Sequence, residues 1–121
     1  MIKKANVTVI VSDLDRAIKF YTETLGLKLM DQFQDQWAEI QAPGLIIGLH
    51  TGAPHVLKPG NSESLAIGFT VDNLHNDMTA FKNKGVVFSP NIIENGPVKI
   101  ALFNDPDKNP LYFCEVRENR E

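Results

Sequence analysis

Three side chains between Trp37 and His50 have the types and the spacing to act on a small molecule. His50 is of the one type whose ordinary pKa lies near neutrality, and beside the carboxylate of Glu39 it would form a general acid–base pair. Trp37 offers a flat apolar face on which a planar ligand can stack. A hairpin would bring them together, because Pro43-Gly44 reads as a tight turn between two strands. With those two residues as the turn, Gln41 faces Ile46, Glu39 faces Gly48 and Trp37 faces His50. Directly opposed residues share a face of a sheet. One face then carries Trp37, Glu39, Gln41, Ile46, Gly48 and His50, and the other carries Ala38, Ile40, Ile47 and Leu49. The second set suits packing on a helix. The first is too polar for a core and too aromatic for plain surface. A loop of odd length would break this pairing. The bland alternative has His50 hydrogen-bonded within the sheet, Glu39 solvated at a cavity mouth and Trp37 an ordinary core or interface ring. Convergence of Glu39, His50 and Tyr112 on one point favours chemistry. A Trp37 ring filling that space favours stacking or a structural role.

Lesser candidates lie elsewhere. Lys99 could neutralise a carboxylate or phosphate on a ligand, although a lysine on a sheet face is more often solvated. Cys114 is the only cysteine, so no intrachain disulfide forms, which suits a reducing cytoplasm. A lone cysteine is usually a small buried hydrophobe rather than a nucleophile. His55 and His75 read as surface residues. Asp105 and Asp107 suggest calcium, but the remaining oxygen ligands are missing, so a structural turn is the better reading. There is no Gly-rich phosphate loop and no nucleophile elbow.

The elements that must position these residues occur twice. Val11-Ser-Asp-Leu14 through Gly26 returns as Val71-Asp-Asn-Leu74 through Gly85, the helix starts 60 positions apart and the closing glycines 59. Such self-similarity is a statement about architecture. Each copy begins with an apolar strand, over 6–11 and 65–71. An amphipathic helix with an Asp-containing start follows and closes at a glycine. Strands are predicted over 27–33, 37–42 and 45–50 in the first copy, and over 86–88, 98–103 and 111–116 in the second. Residues 51–64 read as a linker, 91–97 as a loop and 117–121 as a charged tail. A chain of 121 residues fits one domain, with module one at about 1–58 and module two at about 62–121. The net charge of −3, with scattered Lys and Arg, gives no nucleic-acid footprint. No stretch is long enough to span a bilayer, and Asp13 ends the short apolar run after Lys3 and Lys4, so a strand is read there rather than a signal peptide.

Three phrases carry a resemblance over essentially the whole chain: Val11-Ser-Asp-Leu-Asp-Arg-Ala-Ile-Lys-Phe-Tyr-Thr-Glu-Thr-Leu-Gly26, then Val71-Asp-Asn-Leu74, then Asp105-Pro-Asp-Lys-Asn-Pro110. With them the chain resembles the vicinal oxygen chelate superfamily of glyoxalase I, bleomycin-resistance proteins and extradiol dioxygenases. The resemblance implies an α+β fold of two βαβββ modules in tandem, whose concave mixed sheets form a cavity, often in a homodimer. Metal-dependent members draw ligands from the first and last strands of each module. Counted from Asp13, Asp72 and Asp105, three of those positions fall here on Asn6, Ala66 and Tyr112, and the fourth, in the Leu-Ile-Ile-Gly-Leu-His run, falls on Gly48. Glycine and alanine offer no side-chain ligand, and asparagine and neutral tyrosine are poor substitutes for imidazole and carboxylate. The expectation is therefore a cytoplasmic small-molecule-binding protein without a cofactor at the usual metal site, sequestering a toxic compound as bleomycin-resistance relatives do. Trp37, Tyr112, Lys99 and Asn6 are its candidate ligand-binding residues. The alternative is a lyase or isomerase that uses Glu39 and His50, either without metal or with a divalent metal at a displaced site. A third reading is an occluded cavity that serves only as a protein-interaction surface.

Overall fold

The computed structural model describes residues 1–51, 58–60 and 64–117. His55 and part of the predicted linker lie outside them. The chain forms two compact units, Met1–Asn61 with Pro106–Asn109, and Ser62–Asp105 with Pro110–Glu121.

The first unit runs β1 (Val7–Ile10), α1 (Leu14–Lys19), β2 (Lys28–Phe33), β3 (Trp37–Ala42) and β4 (Leu45–His50). Asp13 caps α1, its carboxylate accepting from Arg16 N at 3.0 Å, which satisfies one of the free donors at a helix start. The helix then runs into a π-helical turn, Phe20–Thr24. The sheet order is β1-β4-β3-β2, with β1 parallel to β4 and the other pairs antiparallel. α1 packs on β3 and β4. Leu14, Ala17 and Tyr21 are buried there, as are Ala38, Ile40, Ile47 and Leu49 on the strands. Strand residues alternate between faces, so the same strands must turn their other residues away from this core.

The second unit repeats the order as β5 (Ile67–Thr70), α2 (Leu74–Lys82), β6 (Ile93–Asn95), β7 (Val98–Asn104) and β8 (Pro110–Val116). Its sheet order is β5-β8-β7-β6, again with the first strand parallel to the last. Asn73 caps α2 by accepting from Asn76 N at 2.9 Å. Leu74 and Met78 are buried, together with Ala101, Phe103, Leu111 and Phe113 of the sheet. The Phe113 ring lies 4.8 Å from that of Phe103 and 4.9 Å from that of Phe81, centroid to centroid. Aromatic burial of this kind dominates the apolar stabilisation of a small core. Both units are βαβββ modules, and the fold is α+β.

Two predicted elements differ. Residues 86–88 form no strand: Val86 is buried, Val87 is 83% exposed, and the Phe88 ring packs on Phe103 and Phe113. The edge of β7 is paired instead by β6, within the predicted loop. The turn between them explains the choice. Asn95 pairs with Val98, leaving Gly96-Pro97 as a two-residue turn with Gly96 at φ 61°, which suits a glycine-first hairpin. The other difference is Leu65, read as a strand residue, which is 76% exposed ahead of β5.

Candidate functional site

In the first sheet the predicted hairpin register is the observed one. Trp37 pairs with His50, Glu39 with Gly48 and Gln41 with Ile46, and Gly44 takes φ 82° in the turn. The neighbouring strands extend the open face. Phe33 lies opposite Trp37, Asp31 opposite Glu39 and Lys28 opposite Gln41, with a bulge between Leu29 and Asp31. On the other side Thr8 lies beside Gly48 and Ile10 beside His50. The face is therefore built in cross-strand rows. One is aromatic (Phe33, Trp37, His50), and the next holds Asp31, Glu39, Gly48 and Thr8. The third holds Lys28, Gln41 and Ile46.

The indole of Trp37 meets the His50 ring edge-on, at 5.9 Å between centroids and 69° between planes. Its six-membered ring lies over Gly48, where an added Cβ would overlap Cη2, Cζ3 and Cζ2. Trp37 and Gly48 are diagonal partners, and Glu39 and His50 occupy the other diagonal of the same four positions. The indole thus lies across the diagonal between Glu39 and His50. Neither side chain makes a hydrogen bond among the described residues. Glu39 instead has the Lys4 ammonium at 4.0 Å, and His50 Nδ1 is buried with no hydrogen-bond partner. At the Gln41–Ile46 end of this face is a groove of about 490 Å³, whose wall includes Asn6, Val7 and Ala42. Asn6 precedes β1 and donates to Thr8 Oγ1 at 3.1 Å.

The second sheet repeats the motif of a ring over a glycine. Tyr112 pairs with Gly68 and Leu102, and its ring covers Gly68 so closely that a Cβ there would overlap Cζ and Oη. Cys114, half-buried, shares that face. Ala66 is exposed ahead of β5. Lys99 does not join Tyr112. It lies on the opposite, helix-side face, in register between Glu94 and Glu115. There, with His75, it lines a separate cavity of about 290 Å³. Glu115 in turn accepts from Leu74 N at 2.7 Å, tying β8 to the start of α2.

Asp107 is committed to structure. Its carboxylate accepts from Ser12 Oγ at 2.6 Å and Ser12 N at 3.2 Å, and it pairs with Arg16 at 3.2 Å. Asn109 donates to Ile10 O at 3.1 Å and accepts from Gly60 N at 2.9 Å. The Asp-Pro-Asp phrase therefore fastens the start of α1. Among the described residues, no three His, Cys, Asp or Glu side chains gather as a metal cluster. Sequence reasoning missed Asp31, Phe33 and Lys4 as members of the open face. The first two had a signal: a three-residue turn at 34–36 puts Phe33 opposite Trp37.

Comparison with known proteins bears on these sheets. The glyoxalase/bleomycin resistance protein/dioxygenase superfamily model matches residues 4–113. A lactoylglutathione lyase of Schizosaccharomyces pombe is 31% identical over 98% of this chain, which spans 48% of that relative, about half its length. The uncharacterised protein YurT of Bacillus subtilis is 30% identical, over 89% of this chain and 94% of its own. The crystal structure of a lactoylglutathione lyase from Agrobacterium tumefaciens superposes with a TM-score of 0.73 at 15% identity, covering 93% of this chain and 92% of that one, a likeness of fold. By its family match and its paired βαβββ modules, the chain belongs to the glyoxalase/bleomycin resistance protein/dioxygenase superfamily.

Proposed function

We propose that this protein binds a small organic molecule on the open face of its first sheet, without a metal at the family's usual positions. The observation that carries this reading is the Trp37 indole lying over Gly48. The resemblance assigns a ligand position to Gly48. A side chain there would need the space the indole holds. Ala66 carries no donor either, Asn6 is a weak one, and the Tyr112 ring is spent on covering Gly68. These residues do not fit a divalent ion, which prefers imidazole, carboxylate or thiolate donors. What the face does offer is a rigid ring, flanking polar groups and a neighbouring groove. Binding and sequestering a small molecule needs little more than shape and a few polar anchors.

The same reading takes the protein as a cytoplasmic homodimer, the dimer on the strength of the family resemblance. Among the described residues no helix is long and apolar enough to cross a membrane. The competing reading, a lyase or isomerase, draws support from the names of the yeast and Agrobacterium relatives. It would need Glu39 and His50 to act together or to hold a displaced metal. Thermal unfolding of metal-stripped protein separates the two, because a ligand that binds only the folded state raises the midpoint. Ni, Zn, Mn and Fe(II) should leave the midpoint unchanged, and members of a panel of small aromatic compounds should raise it. A metal that raises it in the wild type but not in Glu39→Ala or His50→Ala would make a displaced-site metalloenzyme the better reading.

A further inference from the structure

Resting on that reading, we propose that the group recognised on this face is an organic cation, an alkylammonium or related amine, held between the rings of Phe33 and Trp37 and the carboxylates of Asp31 and Glu39.

The register carries the argument. Asp31 and Glu39 are directly opposed across β2 and β3. Like charges in that relation repel, and a sheet tolerates them only at a cost. Asp31 accepts a single hydrogen bond, from Gln32 N at 2.9 Å, and has no cationic partner within 4.0 Å among the described residues. Glu39 has only Lys4, whose side chain is 67% exposed. A cation arriving from solvent would relieve this repulsion. The adjacent row decides its chemical class. Phe33 and Trp37 are also directly opposed, two residues along the same two strands and so on the same face. The face of an aromatic ring attracts a positive charge, most strongly when the cation is poorly hydrated, as alkylammonium groups are. Rings offer nothing to a hard metal ion, which wants oxygen ligands.

Lys4 already supplies one cation to this row. Its ammonium reaches Glu39 from the segment ahead of β1, at a distance too long for a strong ion pair. An exposed pair of this kind contributes little to stability, so its cation is readily displaced. Lys4 thus acts as an internal stand-in for the ligand's charged group. The other cation of the face, Lys28, lies one row further on, opposite Gln41. The groove at that end leaves room for the rest of the ligand.

The test uses the full chain, in which Trp37 is the only tryptophan, so its intrinsic fluorescence reports on this face alone. Three probes of similar size are titrated: benzyltrimethylammonium, neutral benzyl alcohol and anionic phenylacetate. The ammonium should change the fluorescence saturably, at a concentration about tenfold or more below the other two. Glu39→Gln and Asp31→Asn should each weaken it several-fold. Lys4→Ala, at an exposed site where folding is not at stake, should strengthen it. If the neutral or anionic probe saturates as readily, or Lys4→Ala leaves the ammonium curve unchanged, the cation assignment is wrong while small-molecule binding stands. If no probe of any charge changes the signal, both readings fall. Competition of calcium or magnesium chloride with the ammonium, beyond that of sodium chloride at equal ionic strength, would overturn the assignment in favour of a metal site.

Discussion

At the scale of single residues, each of the two sheets has one position where the smallest side chain lies beneath a large one. A glycine within a strand is costly by itself, and a ring from the neighbouring strand offsets part of the loss by covering it. Adding one methyl at Gly48 should therefore destabilise the protein. Gly48→Ala is expected to cost about 1–3 kcal/mol, as an overpacked site does, measured as a lower urea midpoint at unchanged slope. In a Trp37→Ala background the same change should cost almost nothing. Strict additivity of the two substitutions would mean that the ring does not hold that space. Gly68→Ala and Tyr112→Ala should behave alike, since the Tyr112 ring occupies the corresponding space. Residue types alone could not reveal this arrangement. The hairpin register was legible, because the Trp37–Ala42 strand alternates and Pro43-Gly44 marks a two-residue turn into Leu45–His50. The direction in which an indole leans, toward His50 or across to Gly48, is a rotamer choice that no spacing encodes.

At the scale of elements, each helix start is held by its own cap, and the loop over residues 106–109 ties down the end of β1 and the start of α1. Asp13→Ala and Asn73→Ala should each cost about 1 kcal/mol by loss of the cap, read from chemical denaturation. Asp107→Ala should cost more, about 1–3 kcal/mol, because its carboxylate is only 6% exposed and Ser12 and Arg16 would lose their partner. If Asp107→Ala unfolds at the wild-type midpoint, the fastening role is wrong. The same elements explain where sequence reading stopped. Residues 93–95 lack an alternating pattern, and they become a strand because the turn at Gly96-Pro97 returns the chain onto β7. The bulge after Leu29 shifts the register of β2, so Asp31 could not be assigned to a face by counting from Lys28. Lys99 was ambiguous for a different reason. Both faces of β7 are largely apolar, and the helix settled on the face of Ala101 and Phe103.

At the scale of the whole molecule, each unit has central strands with neighbours on both sides and edge strands with one open side. In the first unit β2 is exposed along its entire length, Leu29, Met30 and Phe33 included, and β6 is likewise exposed. Amide hydrogen exchange should accordingly be slowest in β3, β4, β7 and β8 and faster in β2 and β6, with the residues ahead of β1 fastest. Uniform protection across either sheet would contradict this ordering. The duplication was legible from the repeated helix starts because capping residues, apolar spacing and terminal glycines are local signals. Which ring covers which glycine was not legible, because it is set by side-chain packing across neighbouring strands, within one hairpin for Trp37 over Gly48 and between β5 and β8 for Tyr112 over Gly68.

The ring-over-glycine pairs also constrain how such a protein can change over generations. A side chain at position 48 and an indole at position 37 exclude one another, so the two positions cannot drift independently. The order of substitution matters as well. Losing the ring first leaves a gap that solvent or a ligand can fill, whereas enlarging the glycine first forces atoms into occupied space. A lineage exchanging a stacking surface for a liganding side chain at this site, or the reverse, would pass most readily through a form that has neither.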